Sequence, residues 1–228
     1  FDYYYKHLIL WDEERLDIAG SYRLGVARDI IHKIGVEGMY TAELFNFKPG
    51  MNKYWDQAVE LGRSFVGPSY WGKASLDYLW QGIGAFINYK AQQGEPVRYL
   101  IGPVSISADY PHELKEMLVF YYRKYYSSHE QLASAKRPFV IGRVREKKLA
   151  RAFFEHDRDS GFAYLQEQFS NAGFKLPVLY KQYASLYEPG GYQLLNFSVD
   201  PDFGYCIDGL FLADLTKLKP KKRERYLA

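Results

Sequence analysis

Cysteine and methionine are scarce in this chain, and it holds no long apolar run. The single cysteine, Cys206, has no intrachain partner, which excludes a disulfide scaffold and fits a reducing, cytoplasmic compartment. No stretch approaches the ~20 apolar residues of a membrane span. The opening FDYYYKHLIL lacks the basic start and the small-residue cleavage site of a signal peptide. It also lacks an initiator methionine and enters a strand almost at once, so a fragment of a longer protein is expected. Low-complexity tracts and internal repeats are absent, which excludes collagen-like and solenoid architectures. The five histidines show no H-x-x-x-H spacing, so no metal site is expected.

The composition that remains is that of a globular protein: 228 residues, 47% hydrophobic and 25% charged. That length suits one generous domain, expected over 1–228. Aromatics reach 18%, with 22 tyrosines and 15 phenylalanines. Tyrosine suits half-buried walls, where the ring packs and the hydroxyl finds a partner. The net charge of +3 is unevenly spread. Lys136 to Arg151 holds seven basic residues against Glu146, and Lys219 to Arg225 holds five against Glu224. Such clusters suit an anionic partner (nucleic acid, anionic lipid or an acidic carrier protein), or else a solvated loop and tail.

Tyr5–Trp11 and Ile18–Ala27 read as strands joined by a charged hairpin turn, and Ala58–Val66 as a third. Leu76, Leu79, Trp80, Ile83, Phe86 and Ile87 recur at helical spacing, which predicts a helix from Ser75 to about Lys90. Val97–Ile106 reads as a strand in which Pro103 cannot donate a ladder bond, so it should part from a neighbour there. A second helix is expected from Pro111 to about Tyr126. Residues 127–176 form a basic, poorly patterned insert with a short helix over Gly161–Asn171. Val178–Leu186, Tyr192–Val199 and Leu210–Leu215 read as a final sheet region. The order predicts a mixed α/β sheet with helices on its faces.

The loop between strand 58–66 and the following helix is the informative piece. Backbone amides at a helix start cradle anions, Gly72 permits positive φ, and Lys73 adds charge. A phosphate or phosphopantetheine fits there, as does a purely structural turn.

Several motifs carry a resemblance beyond these patterns: Tyr22-Arg23-Leu24, Glu60-Leu61-Gly62-Arg63-Ser64-Phe65-Val66, and Pro68-x-Tyr70-Trp71-Gly72-Lys73. Further along come Gly102-Pro103-Val104-Ser105-Ile106-Ser107, Lys181-Gln182-Tyr183, Asn196-Phe197-Ser198-Val199-Asp200-Pro201-Asp202-Phe203 and Asp208-Gly209-Leu210. With these the chain resembles the GNAT-superfamily N-acyltransferases over nearly its whole length, the insert matching poorly. It looks most like the hemolysin-like branch that makes amino-acid lipids, to which acyl-homoserine-lactone synthases are related. The resemblance implies transfer of a fatty acyl or 3-hydroxyacyl group from acyl carrier protein, or acyl-CoA, to an amino acid's amine. It implies two parallel strands, 58–66 and 97–106, splayed so that pantetheine lies between them. Members of the branch carry a strand and two helices ahead of the FDYYYKHLIL equivalent.

Within that frame Glu60 is expected to take the amine's proton, with burial in an apolar wall suiting a carboxylate to the task, and Arg63 to orient substrate. Ser64 completes the expected catalytic set. Glu60 and Arg63 share a face only if a bulge intervenes, for which Gly62 is the natural place; the non-catalytic reading of the two is that they simply pair with each other or with Arg23. Val66, Trp71, Gly72, Lys73, Ala74 and Ser105 are expected to hold the donor, and Arg23, Asp200 and Asp202 the acceptor. Asp200 and Asp202 equally suit an Asx turn. Cys206 is expected as a small buried residue, and His156-Asp157-Arg158-Asp159 as a surface turn. The rival functions are an acyl-homoserine-lactone-type synthase and a non-catalytic lipid-surface or nucleic-acid-binding module. Nucleic acid is disfavoured, because the basic residues are not interleaved with exposed aromatics. Peripheral contact with an anionic membrane fits an acylated product.

Overall fold

A computed structural model describes residues 2–227. Along the chain these form β1 (Lys6–Asp12), β2 (Asp17–Val26), α1 (Ala27–Ile34), β3 (Phe45–Phe47), α2 (Asn52–Trp55), β4 (Ala58–Val66), α3 (Ser75–Gln92) and β5 (Tyr99–Ile106). There follow α4 (His112–Tyr126), β6 (Ala133–Ala135), α5 (Arg143–Ala152), α6 (Arg158–Asn171), α7 (Val178–Leu186), β7 (Tyr192–Asp200), β8 (Cys206–Asp214) and α8 (Pro220–Leu227). Six strands make one sheet in the order β1-β2-β4-β5-β8-β7, and β3 pairs with β6 apart from it. The β1–β2 hairpin closes on Asp12, whose carboxylate accepts the backbone amides of Glu14 and Arg15 at 3.0 Å each.

The sheet's inner pair is parallel and short. Only Ala58, Val59 and Glu60 of β4 stand opposite Tyr99, Leu100 and Ile101 of β5. Each strand nevertheless keeps its other partner to the end. β4 stays on β2 as far as Val66 opposite Gly20, and β5 stays on β8 as far as Ile106 opposite Ile207. The sheet therefore opens along one seam alone. Two local features drive the parting. In β4, Arg63 and Ser64 together oppose Tyr22 of β2, a bulge that turns the strand. In β5, Pro103 offers no N–H at the level where the seam opens, while its place opposite Leu210 is kept.

Side chains divide between the two faces of the sheet. One face packs Leu79, Trp80, Ile83 and Ile87 of α3 and Leu118, Tyr121 and Tyr122 of α4 over Leu100, Val104 and Phe211. The other face gathers Tyr5, Ile30, Met39, Ile101, Leu210 and Leu212. Four expectations are corrected. Val178–Leu186 is a helix, because Tyr180, Tyr183 and Leu186 recur at helical rather than alternating spacing behind Pro177. The final strand begins at Cys206 rather than Leu210. The insert holds more than the one short helix expected over Gly161–Asn171: the basic run forms α5, α6 begins at Arg158, and Phe153, Leu165 and Phe169 join the α3–α4 core. Pro111 stands just before α4 rather than inside its first turn.

Candidate active site

The seam is lined on the α3 side by Tyr22, Ser64, Trp80, Gly102, Tyr183 and Tyr192, around a cavity of about 40 Å³. That volume holds a water or two, so a donor must enter along the open seam rather than occupy a ready-made chamber. Tyr22 and Tyr183 share a hydrogen bond between their hydroxyls. Burial pushes Tyr22 up to about 12 and Tyr183 above the usual phenol range, so both keep their protons at neutral pH. The hydroxyls of Tyr187 and Tyr192, also on this wall, are buried with no hydrogen-bond partner among the described residues.

The opposite face of the same seam is charged. Arg23 is buried on β2 opposite Gly62 and donates to Asp2 at 3.0 Å. Its guanidinium lies over the rings of Tyr5 and Tyr40, at 4.6 and 4.7 Å from their centroids. Glu60 is buried, and its carboxylate accepts four donors: the Tyr5 hydroxyl, the Tyr40 amide at 3.1 Å, the Thr41 amide at 2.8 Å and the Thr41 hydroxyl at 2.5 Å. These partners tie β4 to the turn Tyr40–Glu43, a role none of the weighed pairings with Arg23 or Arg63 anticipates. Arg63 is exposed and reaches the Tyr40 ring at 5.7 Å, so the bulge does bring positions 60 and 63 to one face. The bulge sits one residue beyond the expected Gly62. Arg63 itself takes the left-handed conformation, φ 47°.

Further out on this face, Asp208 of β8 is buried and accepts the hydroxyl of the exposed Ser105 at 2.5 Å. Asp200 is buried and accepts the amides of Asp202 and Phe203, the expected Asx turn, while Asp202 is exposed. Asp208 was not among the expected site residues. Its signal is a carboxylate in the middle of the apolar strand CIDGLFLAD, every residue of which is buried up to Ala213 and whose other acid, Asp214, closes the strand.

The loop into α3 has the expected form. Gly72 has φ 73° with open space around it, Lys73 lies over the Tyr70 ring, and Ala74 precedes a helix start that no side chain caps. Trp71 is exposed and its indole donates to the Val66 carbonyl at 2.8 Å. Elsewhere, Asp157 caps α6 through Ser160, while Cys206 is buried on β8 opposite Asp200, at the edge of this face.

A mixed sheet whose parallel pair parts beyond a bulged strand, with a crossover helix starting at the mouth, is the GNAT-like fold that the resemblance implies. Residues 1–81 match the family model described as an acetyltransferase (GNAT) domain. The chain is 25% identical to a glycine N(alpha)-acyltransferase of Bacteroides thetaiotaomicron, over 98% of this chain and 67% of the relative. A glycine N(alpha)-acyltransferase of Phocaeicola vulgatus is 26% identical over 98% and 69%. Among solved structures, a CoA-dependent acyl-homoserine lactone synthase with SAM and isopentyl-CoA aligns with TM-score 0.35 and 8% identity. It covers 96% of this chain, which spans 60% of that protein's length.

Proposed function

We propose that the protein transfers a fatty acyl group from a phosphopantetheine thioester to the amino group of an amino acid, a step of amino-acid lipid synthesis in the cytoplasm. The observation that carries this reading is the half-open seam. Among the described residues its strand edges beyond Glu60 and Ile101 have no partner strand on that side. An extended pantetheine arm can borrow them as a strand would. One side of the seam is aromatic and suits an acyl chain; the other is charged and suits an amino acid. The names of the two relatives support an α-amine as acceptor. In this reading Trp71, Gly72, Lys73 and Ala74 take the phosphate, while Ser64, Val66 and Ser105 flank the arm. Arg23, Asp200 and Asp202 surround the acceptor, and Glu60 and Arg63 hold its place. Tyr22 and Tyr183, being protonated, can return a proton to the leaving thiolate.

The donor half is tested at Gly72. A β-branched residue resists φ 73°, so Gly72→Val is expected to raise the donor's KM about tenfold or more while the acceptor's KM holds. Equal donor KM in the two proteins would make the loop purely structural.

An acyl carrier protein is the donor form this reading favours. On and around α5, the exposed Arg143, Lys147, Lys148 and Arg151 lie beside exposed Val140, Val144 and Phe154. A basic surface with apolar points suits an acidic carrier, or an anionic membrane receiving the product. Arg145 is excluded from this surface, since it binds the buried Glu116 at 3.0 Å. Reversing the charge at Arg143, Lys147 and Lys148 together is expected to slow carrier association by about 10-fold or more and flatten its salt dependence, with kcat from a free pantetheine donor unchanged. Liposome binding measured on the same variant separates a membrane role from a carrier role. Among the described residues no helix is long and apolar enough to cross a membrane.

A further inference from the structure

Three carboxylates, Glu60, Asp200 and Asp208, are buried on the charged side of the seam. Two are committed to the fold. Glu60 is held by four donors, and Asp200 by the two amides of its turn. Asp208 differs. Among the described residues its one hydrogen-bond donor is the Ser105 hydroxyl, and Ser105 is exposed. Ser105 stands two residues beyond Pro103, on the stretch of β5 that has left β4, so this exposed residue lies beside the open part of the seam. A buried carboxylate with a single bridge to the outside, through a hydroxyl at the reaction mouth, is built to pass a proton.

We propose that Ser105 meets the attacking amine and that Asp208 behind it holds the proton the amine gives up. This rests on the acyl-transfer reading above and deepens it, moving the proton acceptor from Glu60 to Asp208. In the step, the amine nitrogen bonds to the thioester carbonyl carbon and the C–S bond breaks. An acceptor arriving as an ammonium loses two protons in becoming an amide. One passes through Ser105 to Asp208 and later to solvent; the other ends on the departing sulfur, giving a thiol. No oxidant or cofactor is needed for the balance.

The electrostatics agree with the geometry. Burial, with the like charge of Asp200 beside it, pushes Asp208 up to about 6, while the Ser105 hydrogen bond acts the other way. The remaining titratable groups near it are Cys206 on its own strand, Tyr40 from the turn and Tyr180 from α7. Burial raises all three, so they stay protonated near neutrality. An acceptor poised near neutral pH is what general base work requires.

The test uses the whole chain with an acyl thioester donor and an amino-acid acceptor. Asp208→Asn is expected to lower kcat by about 10²–10⁴-fold and to abolish the acid limb near pH 6, with the donor's KM little changed. Its melting temperature above pH 6 should not fall. The sign follows from linkage: a carboxylate raised from 3.8 to about 6 destabilises the fold as pH rises through that window, and asparagine removes the buried charge. Ser105→Ala is the second variant. It loses the bond that favours the ionised form, so the limb should move to higher pH as kcat falls. A merely structural Asp208 would lower stability without touching the limb. Wild-type kcat with the limb intact in Asp208→Asn overturns the proposal. If that variant does not fold, an unmoved limb in Ser105→Ala overturns it instead. A wild-type protein that acylates nothing overturns the acyl-transfer reading, and this inference with it.

Discussion

Glu60→Gln is expected to lower the melting temperature by roughly 5–15 °C and to depress acyl transfer with it. The carboxylate accepts from the Tyr5 hydroxyl, the Tyr40 and Thr41 amides and the Thr41 hydroxyl. Glutamine is nearly the same shape, but one of its two terminal atoms donates rather than accepts. Wherever its amide nitrogen lies, it faces a backbone amide, which cannot accept, and a hydroxyl, which accepts only by leaving its own proton without that partner, so about two of the four bonds are lost and buried donors are left unmet. At about 1–2 kcal/mol for each, the loss is about 2–4 kcal/mol, or roughly 2–4 °C per kcal/mol in a chain of this size. Activity falls because Tyr40 and Thr41 carry the wall against which Arg23 and Arg63 stack. Thermal melts paired with kinetics at a temperature where both proteins are folded check this. An unchanged melting temperature with a 10²–10⁴-fold lower kcat would instead return the proton to Glu60.

Gly102→Ala should be comparably damaging, for a steric reason. A Cβ at position 102 would lie 2.2 Å from the Leu61 carbonyl oxygen, across the last rung before the seam opens. The obstacle is backbone, so no side chain can swing aside; β4 or β5 must move. A cost of about 3 kcal/mol or more is expected, together with a fall of about 100-fold in kcat/KM for the donor as the seam's geometry shifts. Gly62→Ala is the contrast, since a Cβ there meets nothing within 4 Å. Its stability should change by no more than about 1 kcal/mol. Equal melting temperatures for the two variants would mean the strands are not this close.

Much of this layout was legible in the sequence because the deciding signals are local. Pro103 in a strand, Gly72 ahead of an amphipathic helix, and the stripe Leu79, Trp80, Ile83 and Ile87 each fix a backbone choice within a few residues. The bulge too was legible in outline, from the need to bring positions 60 and 63 together. Its placement was off by one because Arg63, not glycine, takes the left-handed conformation, and only the registry with Tyr22 of β2 reveals that. The run VLYKQYASL misled through its aromatic and branched content, which favours strands, although its tyrosines are spaced for a helix. What the sequence could not give was the partner of each carboxylate. Tyr5 and Thr41 reach Glu60 from 55 and 19 residues away, and Ser105 reaches Asp208 across 103. Such distances are set by strand order. A chain of letters shows three acids in apolar settings; the fold shows which one is left with a route outward.

The most direct test of the central claim is product identification. The protein is incubated with acyl-carrier and acyl-CoA donors and a panel of amino acids, glycine included, and the mixture is resolved by mass spectrometry. The account predicts an N-acyl amino acid whose mass is that of the amine plus the acyl group less one hydrogen, appearing with stoichiometric free thiol and lost in Asp208→Asn. Thiol released without any acylated amine across the panel, or no turnover with either donor, would contradict it.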